Sequence, residues 1–348
     1  MKPLDAFPTT RYLGSKRKLL PALKAVFETL EFFVAADPFC GSGAVSYLLK
    51  SLNCQVLASD AMQWNTCCTS ALLDNDTTAF LPTLNNALAQ LPVASAPEGF
   101  IEKQFDGLFF LRSENRFLDQ FRSVCGRWPG PLKNSAFFAL FQAALAKRPY
   151  NLFHRANLYM RQQEVKRSFG NKTTWDTPFE VLIRRYAEEL QLARFASPKK
   201  ITVQQQTAEE ADFSTADLVY LDPPYVSANG SSVDYQDYYH FLEGISLEDD
   251  ARWEERLLHR YRHKPLADRG TSPWSKADKI TGAFKNIIKK CEHAHIVISY
   301  RCDGIPGIDE LAEMLKKSGK RVRIEDCGQY VYALSKNTKS REVIIVGS

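Results

Sequence analysis

Asp222-Pro223-Pro224-Tyr225 is the set of residues in this chain whose types and spacing bear most directly on chemistry. An amine conjugated to a planar ring is a poor nucleophile, because its lone pair is delocalised. A catalyst has to draw that nitrogen toward tetrahedral geometry. The Asp222 carboxylate and the Pro223 carbonyl are two neighbouring acceptors that can take both N–H bonds and aim the lone pair at an electrophile. The prolines restrict the backbone carrying these acceptors, and Tyr225 offers a flat face on which a ring can stack. A proline-stiffened loop after a strand is the bland alternative. Four such residues directly after the apolar run 217–221 outweigh it.

A second constellation, Asp37-Pro38-Phe39-Cys40-Gly41-Ser42-Gly43, ends a short apolar run. Gly41 and Gly43 let the backbone pass close to a ligand, and the helix start beyond them offers free N–H groups to a carboxylate. The spacing is not G-x-G-x-x-G. With Asp37 leading and no phosphate cradle, the turn suits a nucleoside bearing a free amino acid better than a dinucleotide. Asp60 ends the next apolar run, where a carboxylate can accept both ribose hydroxyls; an isolated Asp is more often a helix cap. Residues 11–18, Arg-Tyr-Leu-Gly-Ser-Lys-Arg-Lys, read on their own as a basic, solvated helix start.

These residues need a scaffold. The run 32–38, the glycine turn, a helix over 44–52 and the run 55–58 make a strand-helix-strand unit with Asp60 at its carboxyl end. Strand patterns return at 200–205, 216–221 and 295–300, with a helix near 283–291. Residues 320–334 and 341–346 read as two strands joined by a polar turn at 335–340, an antiparallel pair edging a parallel sheet. Between 64 and 196 the spacing is helical, rich in Phe and Leu, without clear strands. The expected fold is α/β: a doubly wound, mostly parallel sheet with an antiparallel C-terminal hairpin and an inserted helical domain. The expected bounds are 1–65 and 199–348 for the two parts of the sheet domain and 66–198 for the insertion.

The chain has 348 residues, 45% hydrophobic and 24% charged, the balance of an ordinary globular protein. No apolar run approaches the roughly 18 residues of a membrane span, and residues 1–11 lack a leader core, so a cytoplasmic protein is expected. The 8 cysteines form no C-x-x-C pair. Reduced thiols are expected, with neither disulfides nor a metal site. The net charge of +5 is compatible with a polyanionic partner without requiring one.

The three motifs, in this order, resemble the Dam-like, alpha-class family of N6-adenine DNA methyltransferases, in which cofactor motifs precede the recognition domain and D-P-P-Y follows it. The resemblance implies methyl transfer from S-adenosylmethionine to N6 of an adenine flipped out of duplex DNA. It further implies that Tyr12 and Lys16, in an aromatic-x-Gly-x-Lys element, clamp the cofactor's methionine end. Asp37, Phe39, Gly41 and Gly43 match its glycine motif, Asp60 its ribose acid, and Asp222, Pro223, Pro224 and Tyr225 its catalytic motif, with Asp222 also beside the cofactor. Ser299-Tyr300 and residues 336–344 match more weakly. Many members carry an acidic residue for the adenine-ring contact where Gln205-Gln206-Thr207 stand here, with Glu209 and Glu210 slightly late.

The insertion is then the expected recognition lobe. Residues 147–176 hold seven Lys or Arg against Glu164 and Asp176, interleaved with aromatics and amides. Such a mixture suits phosphate contacts and base-edge readout, with Arg148, Arg155, Arg161, Lys166, Arg167 and Lys172 as expected DNA contacts; a solvated helix face is the alternative. The Tyr-rich run 235–241 and the basic cluster in 252–290 suggest a mobile loop over the flipped base, with His240 and Glu243 read as packed rather than catalytic. The D-P-P-Y geometry would also serve cytosine N4, an RNA base or a protein glutamine, and a catalytically idle nucleic-acid-binding homologue is the rival of another class. The host is expected to be a prokaryotic cell or its phage. The chain is expected to be a monomer or weak dimer, with a restriction or defence component as a possible cognate partner.

Overall fold

The apolar runs become the inner strands of a sheet. The computed structural model describes residues 3–91, 95–164, 172–228, 230–329 and 341–348. In chain order the strands are β1 (Val34–Asp37), β2 (Gln55–Asp60), β3 (Ile201–Gln205), β4 (Leu218–Leu221), β5 (Val226–Ser227), β6 (His295–Arg301), β7 (Gly304–Ile305), β8 (Val322–Gln329) and β9 (Arg341–Gly347). Seven of them form one sheet in the order β3-β2-β1-β4-β6-β9-β8. The pairs from β3 through β6 are parallel, and β9 runs antiparallel to both β6 and β8. β5 and β7 form a separate two-stranded pair that the sequence did not suggest.

Burial explains why some strands read as continuous apolar runs. β4 is buried at every position and β6 along its centre, as expected for strands covered on both faces. Helix Ile280–Lys290 supplies part of that cover: Ile280, Ala283, Phe284, Ile287 and Ile288 are buried at helical spacing, and Lys289 and Lys290 end its last turn. The edge strands are more polar. β3 ends in exposed Gln204 and Gln205, and β8 exposes Arg323, Glu325 and Asp326, charges that discourage edge-to-edge pairing. The expected hairpin is present as β8 and β9; its expected turn, 335–340, lies outside the described residues.

The chain divides into two compact units. The sheet unit takes Tyr12–Thr69, Ser197–Asp234 and Gly270–Ser348, and the helical unit takes Met1–Arg11, Ser70–Ala196 and Tyr235–Arg269. The bounds expected from sequence, 66–198, omit two of the three helical segments. Of the stretch expected as a loop, 235–256 is largely helical: helices Tyr235–Ser246 and Asp250–Arg256, the second capped by Asp249, whose side chain accepts from the N–H groups of Ala251 and Arg252, whereas 257–279 holds turns, an isolated bridge and the short helix Pro273–Ser275.

Aromatic packing holds that segment in the helical unit. Phe241 lies 5.0 Å from Phe105, 5.2 Å from Phe109 and 5.0 Å from Phe153, centroid to centroid. Each such pair adds about 0.5–1.5 kcal/mol beyond area burial. Gly244 allows the two helices to meet: a Cβ there would lie 2.0 Å from the Trp253 ring. His240 is fully buried, as its packed reading requires, with Nε2 3.2 Å from the Phe153 carbonyl. Helix Gly130–Ala146 is buried without a break from Ser135 to Ala146 and forms the unit's centre.

Candidate active site

Register sets the acidic residues at one end of the sheet. Asp37 pairs with Ala58 at the end of β1, Asp60 closes β2, and Asp222 follows Leu221 of β4. β1 stands between β2 and β4, so the strand order reverses at β1, and ligands of such sheets bind at the carboxyl ends beside this reversal. β9, running the other way, brings Glu342 opposite Arg301 at the same end of β6.

Around Asp222 the geometry is tight. Lys16 Nζ is 2.8 Å from Asp222 Oδ1 and 3.5 Å from Glu342 Oε1. The Tyr225 hydroxyl donates at 3.0 Å to Asp222 Oδ1 and lies 2.6 Å from Glu342 Oε1. Lys16 also sits 4.8 Å from the Tyr225 ring centroid, and Tyr300 meets that ring edge-on at 5.0 Å. Pro223 is buried and Pro224 half-buried. Burial pushes the Asp222 carboxyl up to about 6; Lys16 pulls it down and the Glu342 charge pushes it further up.

The glycine turn is equally specific. Gly41 and Gly43 have φ of 48° and 75°, the left-handed region in which glycine carries no Cβ penalty. A Cβ on Gly41 would stand 3.1 Å from the Tyr12 hydroxyl, so the aromatic of the Tyr12-Lys16 element closes directly over the turn. The Gly41 N–H donates to Asp60 Oδ2 at 3.0 Å and the Met62 N–H to Asp60 Oδ1 at 2.9 Å. Asp37 is buried; Ser46 Oγ donates to its Oδ2 at 2.6 Å, while its Oδ1 has no hydrogen-bond partner among the described residues. Burial pushes Asp37 up to about 7, with Ser46 opposing and the charges of Asp222 and Asp60 adding to the rise. A buried carboxylate oxygen without a partner is costly unless a donor arrives. A cationic, amine-bearing ligand fits this acidic, glycine-lined end.

The structure therefore brings together Tyr12, Lys16, Asp37, Phe39, Gly41, Gly43, Asp60, Asp222 and Tyr225. Phe39 packs edge-on against Trp274, 4.9 Å away, and Trp274 Nε1 donates to Glu209 Oε1 at 2.8 Å. That bond occupies Glu209, and Glu210 is engaged by the Thr207 N–H at 2.9 Å. Sequence reading missed Trp274 and Glu342. The signal for Glu342 was an acid in the otherwise apolar run 342–347, where it is 1% exposed.

The expected DNA contacts fare differently. Arg148 is buried: its guanidinium donates to the carbonyls of Leu152 at 3.1 Å, Phe109 at 3.1 Å and Arg155 at 2.8 Å, and to Asn157 Oδ1. Arg161 is also buried, in a two-pronged pair with Glu114 at 2.8 and 2.9 Å. Both are corrected from surface contacts to internal ties, because a guanidinium engaged in this way has no free face for a phosphate. Arg155 and Lys172 are exposed, and Lys172 pairs with Asp176 at 2.9 Å. Lys166 and Arg167 lie outside the described residues. Among the described residues there is no metal-holding cluster and no helix long and apolar enough to cross a membrane.

A mostly parallel sheet whose carboxyl ends gather a glycine turn, the Asp60 carboxylate and a D-P-P-Y strip defines a methyltransferase of the doubly wound class. The chain belongs to the D12 class N6 adenine-specific DNA methyltransferase family, whose family model matches residues 12–292. It is 24% identical over 346 residues to Type II methyltransferase M2.HphI of Haemophilus parahaemolyticus, covering 96% of this chain and 95% of that one. It is 23% identical to Type II methyltransferase M.FokI of Planomicrobium okeanokoites and 22% identical to Modification methylase StsI of Streptococcus sanguinis. In these two cases 89% and 88% of this chain match 47% and 46% of the relative, so the chain spans about half their length. The protein is a site-specific adenine DNA methyltransferase.

Proposed function

We propose that Asp222, with the Pro223 carbonyl, is the acceptor pair for the N6 amine of an adenine turned out of duplex DNA, and that the methyl donor is S-adenosylmethionine. The observation that carries this reading is the convergence of Lys16 Nζ, at 2.8 Å, and the Tyr225 hydroxyl, at 3.0 Å, on Asp222 Oδ1 at the strand ends. When bound, the donor supplies a sulfonium methyl group. Asp37 and Asp222 supply negative charge for its amine and sulfonium, Tyr12 walls the glycine turn, and Asp60 takes the ribose hydroxyls.

At Asp222 the N6–H bonds are held so that the nitrogen lone pair faces the methyl group. As the C–N bond forms and the C–S bond breaks, the nitrogen sheds one proton, for which Asp222 is the nearest carboxylate. Tyr225 holds Asp222 through its hydroxyl, which limits its ring to a partial stacking face. Turning the base out costs a few kcal/mol, offset by stacking and hydrogen bonds in the site. The two-unit division supports a sheet unit that does the chemistry and a helical unit that reads the sequence, with Arg155 and Lys172 as its DNA contacts. Similarity to Type II methyltransferases and to a modification methylase supports a modification role beside a restriction partner.

The test is methyl transfer to unmethylated duplex DNA by Asp222→Ala and Asp60→Ala. Asp222→Ala should lose turnover by about a thousandfold or more while binding DNA near normally. For Asp60→Ala the loss should fall on donor affinity. Retained turnover in the first variant, or unchanged donor affinity in the second, contradicts the respective role.

A further inference from the structure

Glu342 is a buried carboxylate beside a second carboxylate, Asp222, and the two share their donors. Lys16 Nζ reaches Asp222 Oδ1 at 2.8 Å and Glu342 Oε1 at 3.5 Å; Tyr225 Oη reaches the same two oxygens at 3.0 and 2.6 Å. Placing a second buried acid next to the first is unfavourable by desolvation and by like-charge repulsion. A sheet that needed only to be filled at this point would carry an apolar residue, as β9 does from Val343 to Val346. The residue also lies beyond residues 12–292, the part matched by the family model.

The charge arithmetic of the cluster suggests its purpose. Lys16 and Asp222 alone would form a neutral pair, with the Asp222 oxygen committed to the ammonium. Adding Glu342 gives one cation between two anions, so the cluster keeps a net negative charge where a target nitrogen gains positive charge during attack. The other groups facing it are Tyr220 on β4, whose hydroxyl Asp222 and Glu342 push upward after burial, Cys327 on β8, and Asp37 behind Asp222. On β6, Arg301 stands opposite Glu342 with its guanidinium paired to Asp303 at 2.7 Å, and Lys16 is the cation that the two acids share.

We propose that Glu342 is a positioning residue for methyl transfer: by sharing the Tyr225 hydroxyl and Lys16, it leaves Asp222 less committed to either donor and keeps the cluster net negative toward the target amine. The inference rests on the assignment of Asp222 made above. β9 delivers an acid to the catalytic end from the far terminus of the chain.

The experiment uses the full chain, S-adenosylmethionine with a labelled methyl group, and genomic DNA from a methylation-free host. Glu342→Gln keeps the shape and an oxygen for Tyr225 but removes the charge. It should lower the single-turnover rate about ten- to a hundredfold with little change in donor KM. It should also move the acid limb of the pH–rate profile down by about one pH unit, because a like charge beside Asp222 has gone. Glu342→Asp, which restores the charge on a shorter stem, should recover part of the rate. A wild-type rate in Glu342→Gln, or a lower rate with the acid limb unmoved, overturns the proposal. Asp222→Ala run in parallel separates the two levels. If it stays active, the assignment of Asp222 falls; if it is inactive while Glu342→Gln is unimpaired, only the role of Glu342 falls.

Discussion

At the scale of single residues, the active end of the sheet is an arrangement of unfavourable choices. Asp37 is pushed up to about 7 and Asp222 to about 6, in each case first by burial, against an ordinary value of 3.8. A carboxyl whose pKa is raised on folding leaves stability intact below its unfolded value and removes it as pH rises through the folded value. These two groups therefore weaken the ligand-free protein progressively from about pH 4 to about pH 7. A cation arriving at ionised carboxylates offsets that loss and releases protons, so its affinity should rise over the same window. The thermal shift produced by S-adenosylmethionine should accordingly be larger at about pH 8 than at about pH 5.5. S-adenosylhomocysteine, which lacks the sulfonium charge, should show a weaker pH dependence. Equal dependence for the two would show that the carboxylates do not sense the sulfonium.

Much of this site was legible from residue types alone. D-P-P-Y, the glycine turn and Asp60 are short-range patterns whose geometry is set by the strand-turn connections that carry them. Glu342 and Trp274 were not legible, because they reach the site through strand order and helix packing rather than through neighbours in sequence. Arg148 and Arg161 were misread for a related reason: a charge in a basic stretch says nothing about whether the chain folds around it.

Elements show the same contrast. Inner strands such as Leu218–Leu221 advertise themselves as apolar runs, since both faces are covered. The segment 235–269 did not, because tyrosines and basic residues obscured a helical face that buries Tyr239, Phe241, Leu242 and Ile245. Within the helical unit, Arg148 ties residues 152–157 to Phe109 through its hydrogen bonds and lies 4.7 Å from the Phe109 ring centroid. Arg148→Met would leave those buried acceptors unpaired and should cost about 3–5 kcal/mol of stability. Arg155→Ala, at an exposed position, should change stability by less than about 0.5 kcal/mol and instead weaken DNA binding, lowering its salt slope by about 1. Chemical denaturation and salt-dependent DNA titration of both variants check this. An Arg148→Met protein of normal stability with a reduced salt slope would return Arg148 to the DNA contacts.

For the whole molecule, three stretches of chain build the sheet unit and three build the helical unit, and the family match at 12–292 runs through parts of both. The mostly parallel sheet and its antiparallel hairpin followed from the apolar runs, whereas the strand order is a finding of the structure. The membership of 1–11 and 235–269 did not, because it depends on contacts between segments far apart in sequence, such as Thr9 N–H to Glu189 at 2.8 Å and Phe241 against Phe105 at 5.0 Å. Methylation of adenine N6 in DNA through Asp222 is what joins the two units in one function. The most direct measurement is modified-base sequencing of genomic DNA from a methylation-free host carrying the intact chain or Asp222→Ala. N6-methyladenine confined to one sequence motif, and absent with the variant, is the expected result. An equal mark from the variant would contradict the role of Asp222, and a mark on cytosine would contradict the reaction.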